Sequence, residues 1–177
     1  MKNDNLNIVI GEPKIGEERD LVYILKETWL ATYPNVEHGI TKEDILSKDF
    51  DSYKKISAWR SSIKNNGKSS KHLFVARDNN KVVGVCVVSK KGKFNEVNVL
   101  YILPEYQGMG IGERLFERSV NWLGNRKNIF IKVVSYNIGA ISFYEKYGFV
   151  KTGVIDETRT VNGKVMPEIQ LELQPKK

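Results

Sequence analysis

The sequence predicts an α/β fold built on a single mixed, mostly antiparallel sheet flanked by helices. Three observations point there. Apolar residues recur at helical spacing up to about Ile63 and then switch to strand-like runs beyond the polar breaker Gly67 to Lys71. The next strands are joined by short turns, as in an antiparallel meander. Farther on, three alternating glycines in Gln107-Gly108-Met109-Gly110-Ile111-Gly112 separate a strand-like run from a long amphipathic one.

Taken in order, Leu6 to Ile10 reads as an opening strand, and Glu17 to Thr32 carries Leu21, Ile24, Leu25 and Thr28 on one helical face. That helix should stop near Tyr33-Pro34, because the residue before a proline is pushed out of the helical region. Thr41-Lys42-Glu43-Asp44 resembles a capping box opening a second helical region, continued irregularly through Tyr53, Ile56, Trp59 and Ile63. His72 to Arg77 and Lys81 to Ser89 make strands around an Asp78-Asn79-Asn80 turn, and a third strand runs from Glu96 to Leu103, ended by Pro104. Gly110 to Asn125 shows Ile111, Leu115, Phe116, Val120 and Leu123 on one face. Ile129 to Val134 is a strand, Gly139 to Tyr147 a short helix, and Val150 to Leu173 a hairpin turning at Asn162-Gly163.

The 177 residues suit one domain over the whole chain, 41% of them hydrophobic. Met1 to Asn5 and the short run after it lack the length of a signal or membrane span, so a cytoplasmic protein without membrane association is expected. The single cysteine, Cys86, lies in an apolar run and reads as buried filler, and His38 and His72 have no metal-ligand spacing, so no metal is expected. The +7 net charge is spread along the chain, densest at Lys90-Lys91-Gly92-Lys93, which reads as a solvated turn; no nucleic-acid motif accompanies it, and no nucleic acid is expected. Nothing in the sequence fixes the oligomeric state, and a homodimer stays open.

The glycine cluster has the layout of a phosphate cradle, since glycine allows positive φ and close backbone approach at a helix start. A nucleotide P-loop needs Lys and Ser or Thr after its last glycine, where this chain has Glu113-Arg114. A dinucleotide loop needs Gly-x-Gly-x-x-Gly on an early βαβ unit, and here the third glycine comes one residue too soon. Glycines at such a junction are structural nearly as often as they bind ligands.

Gln107, Gly110 and Gly112 meet the pattern Gln/Arg-x-x-Gly-x-Gly/Ala, preceded by Leu100-Tyr101-Ile102-Leu103-Pro104-Glu105-Tyr106. A second block, Asn137-Ile138-Gly139-Ala140-Ile141-Ser142-Phe143-Tyr144-Glu145-Lys146-Tyr147-Gly148-Phe149, follows at the next strand-to-helix junction. With these two motifs and the element order from Leu6 to Leu173, the chain resembles the GNAT superfamily of acyl-CoA-dependent N-acyltransferases; Gly11 to Ser70 matches only in general plan.

The resemblance implies a GNAT-like fold with a splayed strand pair at the acyl-CoA site, and acetyl-CoA as cosubstrate. The backbone amides of Gln107, Gly108, Met109, Gly110, Ile111 and Gly112 would hold the pyrophosphate, the backbone of Ile102 and Leu103 the pantetheine arm, and Asn137 that arm or nearby backbone. It further implies a bulge near Leu100 to Ile102, freeing an amide toward the thioester carbonyl.

An amine acceptor must lose a proton before attack. Glu96, eleven residues before Gln107, stands where some family members carry a catalytic glutamate; a water chain and a plain surface carboxylate are its alternatives. With a regular pleat Glu96 would share a face with Leu100 and Ile102. Tyr144, by the resemblance, would protonate the departing thiolate. Trp29 and Tyr33 resemble the family's Trp-x-x-x-Tyr-Pro segment and would border the acceptor, or simply pack a helix end. The implied reaction is direct acetyl transfer to a primary amine of a small molecule or peptide in a ternary complex. A catalytically weak acyl-CoA-binding regulatory module is the alternative.

Overall fold

The computed structural model describes residues 6–157 and 159–175, so Met1 to Asn5 lie outside the described residues. In chain order the elements are β1 (Ile8–Gly11), α1 (Glu18–Thr32), α2 (Lys42–Leu46), α3 (Tyr53–Lys64), β2 (Lys71–Asp78), β3 (Lys81–Lys90) and β4 (Asn95–Ile102). A 3₁₀ turn at Pro104–Tyr106 leads to α4 (Ile111–Leu123), β5 (Ile129–Val134), α5 (Ile138–Lys146), β6 (Val150–Asp156), β7 (Thr160–Val161), β8 (Lys164–Val165) and β9 (Glu168–Leu173).

Local chemistry accounts for the helix boundaries. Tyr33, just before Pro34, caps α1, and the Thr41 hydroxyl accepts from the Asp44 N–H while Asp44 accepts from the Thr41 N–H, a reciprocal box that starts α2. Gly124, with φ of 79°, ends α4.

The main sheet has seven strands in the order β1-β2-β3-β4-β5-β9-β6, antiparallel except for the β4–β5 pair. This is the mixed, mostly antiparallel sheet that the sequence predicts. β2 and β3 are buried along almost their whole length because helices cover both faces. On one face, Gly84 of β3 and Ile102 of β4 meet Leu115 of α4. On the other, Trp29 of α1 reaches Tyr101 of β4.

Two details differ from the sequence reading. The Asn162-Gly163 turn forms as expected, with φ of 48° and 74°, but it closes only the two-residue ribbon β7–β8; the long pairing beneath it runs between β6 and β9. The ribbon packs on α2, where Lys164 and Asn162 both reach the Asp44 carboxylate and where Val161 and Met166 are buried. The β-bulge sits at Asn98 rather than at Leu100 to Ile102, since the register steps from Val88↔Val97 to Val87↔Val99. Polar side chains gather there: the Ser89 hydroxyl donates to Asn98 Oδ1 at 2.8 Å and lies 3.4 Å from Glu96 Oε2. The extra residue reverses the pleat's parity. Glu96, opposite Ser89, therefore shares a face with Tyr101, opposite Val85, while Leu100 and Ile102 take the α4 face.

Candidate functional site

β4 and β5 pair only at Asn95↔Ile129 and Glu96↔Phe130 and then diverge. The gap opens into a cleft of about 610 Å³ lined by Leu100, Tyr101 and Ile102 of β4, the glycine loop, the first turn of α4, and Asn137, Phe143 and Tyr144 around α5.

At the outer end, Gly108 and Gly110 hold φ of 74° and 73°, a left-handed conformation strained for any side chain. A Cβ on Gly110 would meet nothing within 4 Å, so this stretch of backbone faces open space. No side chain caps α4, and its first-turn amides remain available to an anion beside the positive end of the helix dipole. The Gln107 side chain points back instead: its amide donates to the Ile102 carbonyl at 3.0 Å, tying loop to strand.

At the inner end, Tyr144 is buried among Phe116, Phe143 and Phe149, and burial pushes its phenol well above the ordinary range, with Cys86 and Tyr101 adding to the shift. The Cys86 thiol, fully buried, is pushed up to about 12, so it carries no thiolate near neutrality. Asn137 caps α5, its Oδ1 accepting from the Ala140 N–H at 3.1 Å. On the opposite face of β4, the Tyr101 hydroxyl accepts from Trp29 Nε1 at 3.2 Å and lies 3.3 Å from the Tyr33 hydroxyl.

The structure brings Ile102, Gln107, Gly108, Gly110, Gly112, Asn137, Tyr144 and Tyr33 to this one cleft. Others lie elsewhere. Leu103 is in the core, its N–H donating to the Val83 carbonyl and its own carbonyl accepting from Tyr106, so both backbone groups are committed within the protein. The Ile111 side chain is buried and Met109 packs against the core, which leaves only their backbone for the loop. Trp29 packs edge-on against Tyr33 and Phe50 without lining the cleft. Glu96 lines a second, smaller groove of about 180 Å³ with Asn98, Phe130, Lys132, Arg159 and Gln170. Its carboxylate is 3.5 Å from the exposed Lys91 ammonium.

Sequence reasoning missed Thr28, Thr32 and Tyr101, which line the cleft, and Arg159 in the groove. Thr28 and Thr32 stand four residues apart beside an apolar stripe, a local signal for a polar helix edge. Arg159 has no comparable signal, because the chain beyond β6 brings it in from far along the sequence.

A family model described as the acetyltransferase (GNAT) family matches residues 27–149. The N-alpha-acetyltransferase 30 of Schizosaccharomyces pombe is 32% identical over 85 residues, 44% of this chain and 57% of that protein, so the match spans little more than half of the relative. YuaI of Bacillus subtilis, named as an uncharacterized N-acetyltransferase, is 26% identical over 152 residues, 79% of each chain. Among solved structures, the PaiA N-acetyltransferase of Thermoplasma acidophilum, in complex with coenzyme A, superposes with a TM-score of 0.75 at 20% identity, covering 97% of this chain and 100% of that one. At that identity the likeness speaks for the fold.

Proposed function

This chain belongs to the GNAT acetyltransferase family, and from that premise we propose that it transfers an acetyl group from acetyl-CoA directly to a primary amine within a ternary complex. The observation that carries the reading is the cleft at the β4–β5 divergence, with an uncapped glycine-rich helix start at one end and a buried tyrosine at the other.

In this reading the amides of residues 108–112 hold the pyrophosphate, where dipole and unpaired N–H groups favour an anion, while the Gln107 N–H is already donated to the Pro104 carbonyl. The edge of β4 at Ile102 lies alongside the pantetheine arm, as an added strand would. Amine nitrogen forms the new bond to the acetyl carbon while the carbon–sulfur bond breaks. The ammonium gives one proton to Glu96, directly or through water, before attack; the nitrogen loses a second to solvent after it, and the departing sulfur takes a hydrogen bond and then a proton from Tyr144, whose phenolate regains one from solvent. The reversed parity of β4 supports this division: Glu96 is on the α1 face, and Tyr144, packed on Phe116 of α4, is on the other. Base and acid then approach the reacting carbonyl from opposite sides of the gap. A covalent acetyl-enzyme is disfavoured, since the buried Cys86 stays a thiol.

The test is acetyl-CoA-dependent thiol release across a panel of amines. Acceptor-stimulated turnover is expected; binding of coenzyme A with no turnover of any amine refutes the reading.

A further inference from the structure

The groove beside Glu96 lies next to the cleft along β4. Leu100 to Ile102 line the cleft and Glu96 to Asn98 line the groove, so the two cavities follow one strand with only Val99 between their lining segments. At about 180 Å³ the groove is smaller than the roughly 300–1,000 Å³ of drug-sized pockets, which suits a small acceptor.

Its charges are of both signs and are held apart. Glu96 reaches Lys91, whereas Arg159 Nε donates to the buried Glu168 carboxylate at 2.7 Å, and the two groove residues form no ion pair with each other. The Arg159 guanidinium lies over the Trp29 ring, 5.6 Å from its centre, so packing as well as pairing fixes its plane. Glu168 engages only the Nε edge, and no other acceptor among the described residues meets the terminal nitrogens. Arginine presents those two nitrogens as a fork that matches a carboxylate. Lys132 is less available, because it already pairs with Asp156.

We propose that this groove is the acceptor pocket and that it selects amines carrying a carboxylate a few bonds from the nitrogen, with the nitrogen at Glu96 and the carboxylate on the terminal nitrogens of Arg159. The inference rests on the acetyl-transfer reading above and adds the acceptor class. Arg159 is then a specificity-determining residue, and the Trp29 ring serves as its platform.

The test compares 4-aminobutyrate, its amide, butylamine and a peptide with a free N-terminus as acceptors at saturating acetyl-CoA. The kcat/KM for 4-aminobutyrate should exceed that for butylamine and for the amide by roughly 10- to 100-fold, the range expected of charged hydrogen bonds. Arg159→Gln should bring that ratio toward one, mainly through KM, and Arg159→Lys should restore part of it. If Arg159→Gln fails to fold because Glu168 is left alone, the double variant with Glu168→Gln carries the same readout with charge balanced. Equal kcat/KM for butylamine and 4-aminobutyrate in the unmodified protein, or preference for the peptide, overturns the assignment while leaving acetyl transfer standing. Failure of every amine refutes the acetyl-transfer reading itself.

Discussion

Replacing Gly84 by alanine would place a Cβ 2.5 Å from Ile102 Cδ1, 3.3 Å from the Tyr101 carbonyl oxygen and 3.5 Å from Leu115 Cδ2. Carbon atoms in ordinary contact stand about 3.5–4.0 Å apart, so the first contact is roughly 1 Å too close. Two effects oppose each other. Alanine restricts the unfolded chain and would stabilise by about 0.4–1 kcal/mol at a strain-free site, whereas overpacking a tight core costs about 1–3 kcal/mol. The closeness of the Ile102 contact makes the second prevail, and Gly84→Ala should lower stability by about 1–2 kcal/mol. Ile102→Val removes the clashing atom itself, at its own cost of about 0.5–1.5 kcal/mol. The double variant should therefore be at least about 1 kcal/mol more stable than the two single losses added together, since only the tight Tyr101 carbonyl contact remains. Urea unfolding with unchanged m-values measures all four proteins. Additivity within about 0.5 kcal/mol, or a Gly84→Ala protein as stable as the parent, refutes the close-approach argument.

Tyr144→Phe should lower kcat by about 100-fold or more while leaving coenzyme A affinity unchanged, read by steady-state kinetics beside calorimetric titration; an unchanged kcat removes the hydroxyl from the acid role. Asn137→Ala removes the α5 cap and should cost about 1 kcal/mol in a urea unfolding curve. His72 is buried between Phe74 and Trp122, and burial holds its pKa below the ordinary value despite the opposing pull of Glu12 at 3.0 Å; Arg118 and Lys90 also face it and lower it further. A histidine with a depressed folded pKa leaves stability untouched above about pH 6.5, and stability falls as the pH drops below that value, because the unfolded chain binds the proton first. Urea midpoints should decline between about pH 6.5 and pH 5, and His72→Phe should flatten that part of the profile.

The element order was legible because periodicity and breakers are local: the Thr41 box, the Tyr33-Pro34 stop and the Asn162-Gly163 turn each form where their chemistry places them. What escaped reading depends on partners distant in sequence. The bulge at Asn98 is fixed by Ser89 across the strand pair, and no pattern within β4 reveals it. Its displacement changed the face on which Glu96 lies, so the residue was visible and its direction was not. Likewise the insertion of β9 between β5 and β6 reflects sheet pairing rather than any property of Glu168–Leu173. The turn at the glycine loop was readable because Gly108 and Gly110 adopt φ values that few other residues tolerate. The commitment of both Leu103 backbone groups, by contrast, appears only once Val83 and Tyr106 are in place.

The two backbone pairs at the start of β4 and β5 also bear on mechanics. Two ladder rungs join a four-strand leaf, β1 to β4, to a three-strand leaf of β5, β9 and β6. Stiffness along that line is therefore supplied mainly by side-chain packing, and the sheet behaves as two plates on a short spine. An extended amide chain lying in the gap would add the missing rungs, so occupancy would brace the leaves against one another and slow the exchange of strand amides on both sides of the line.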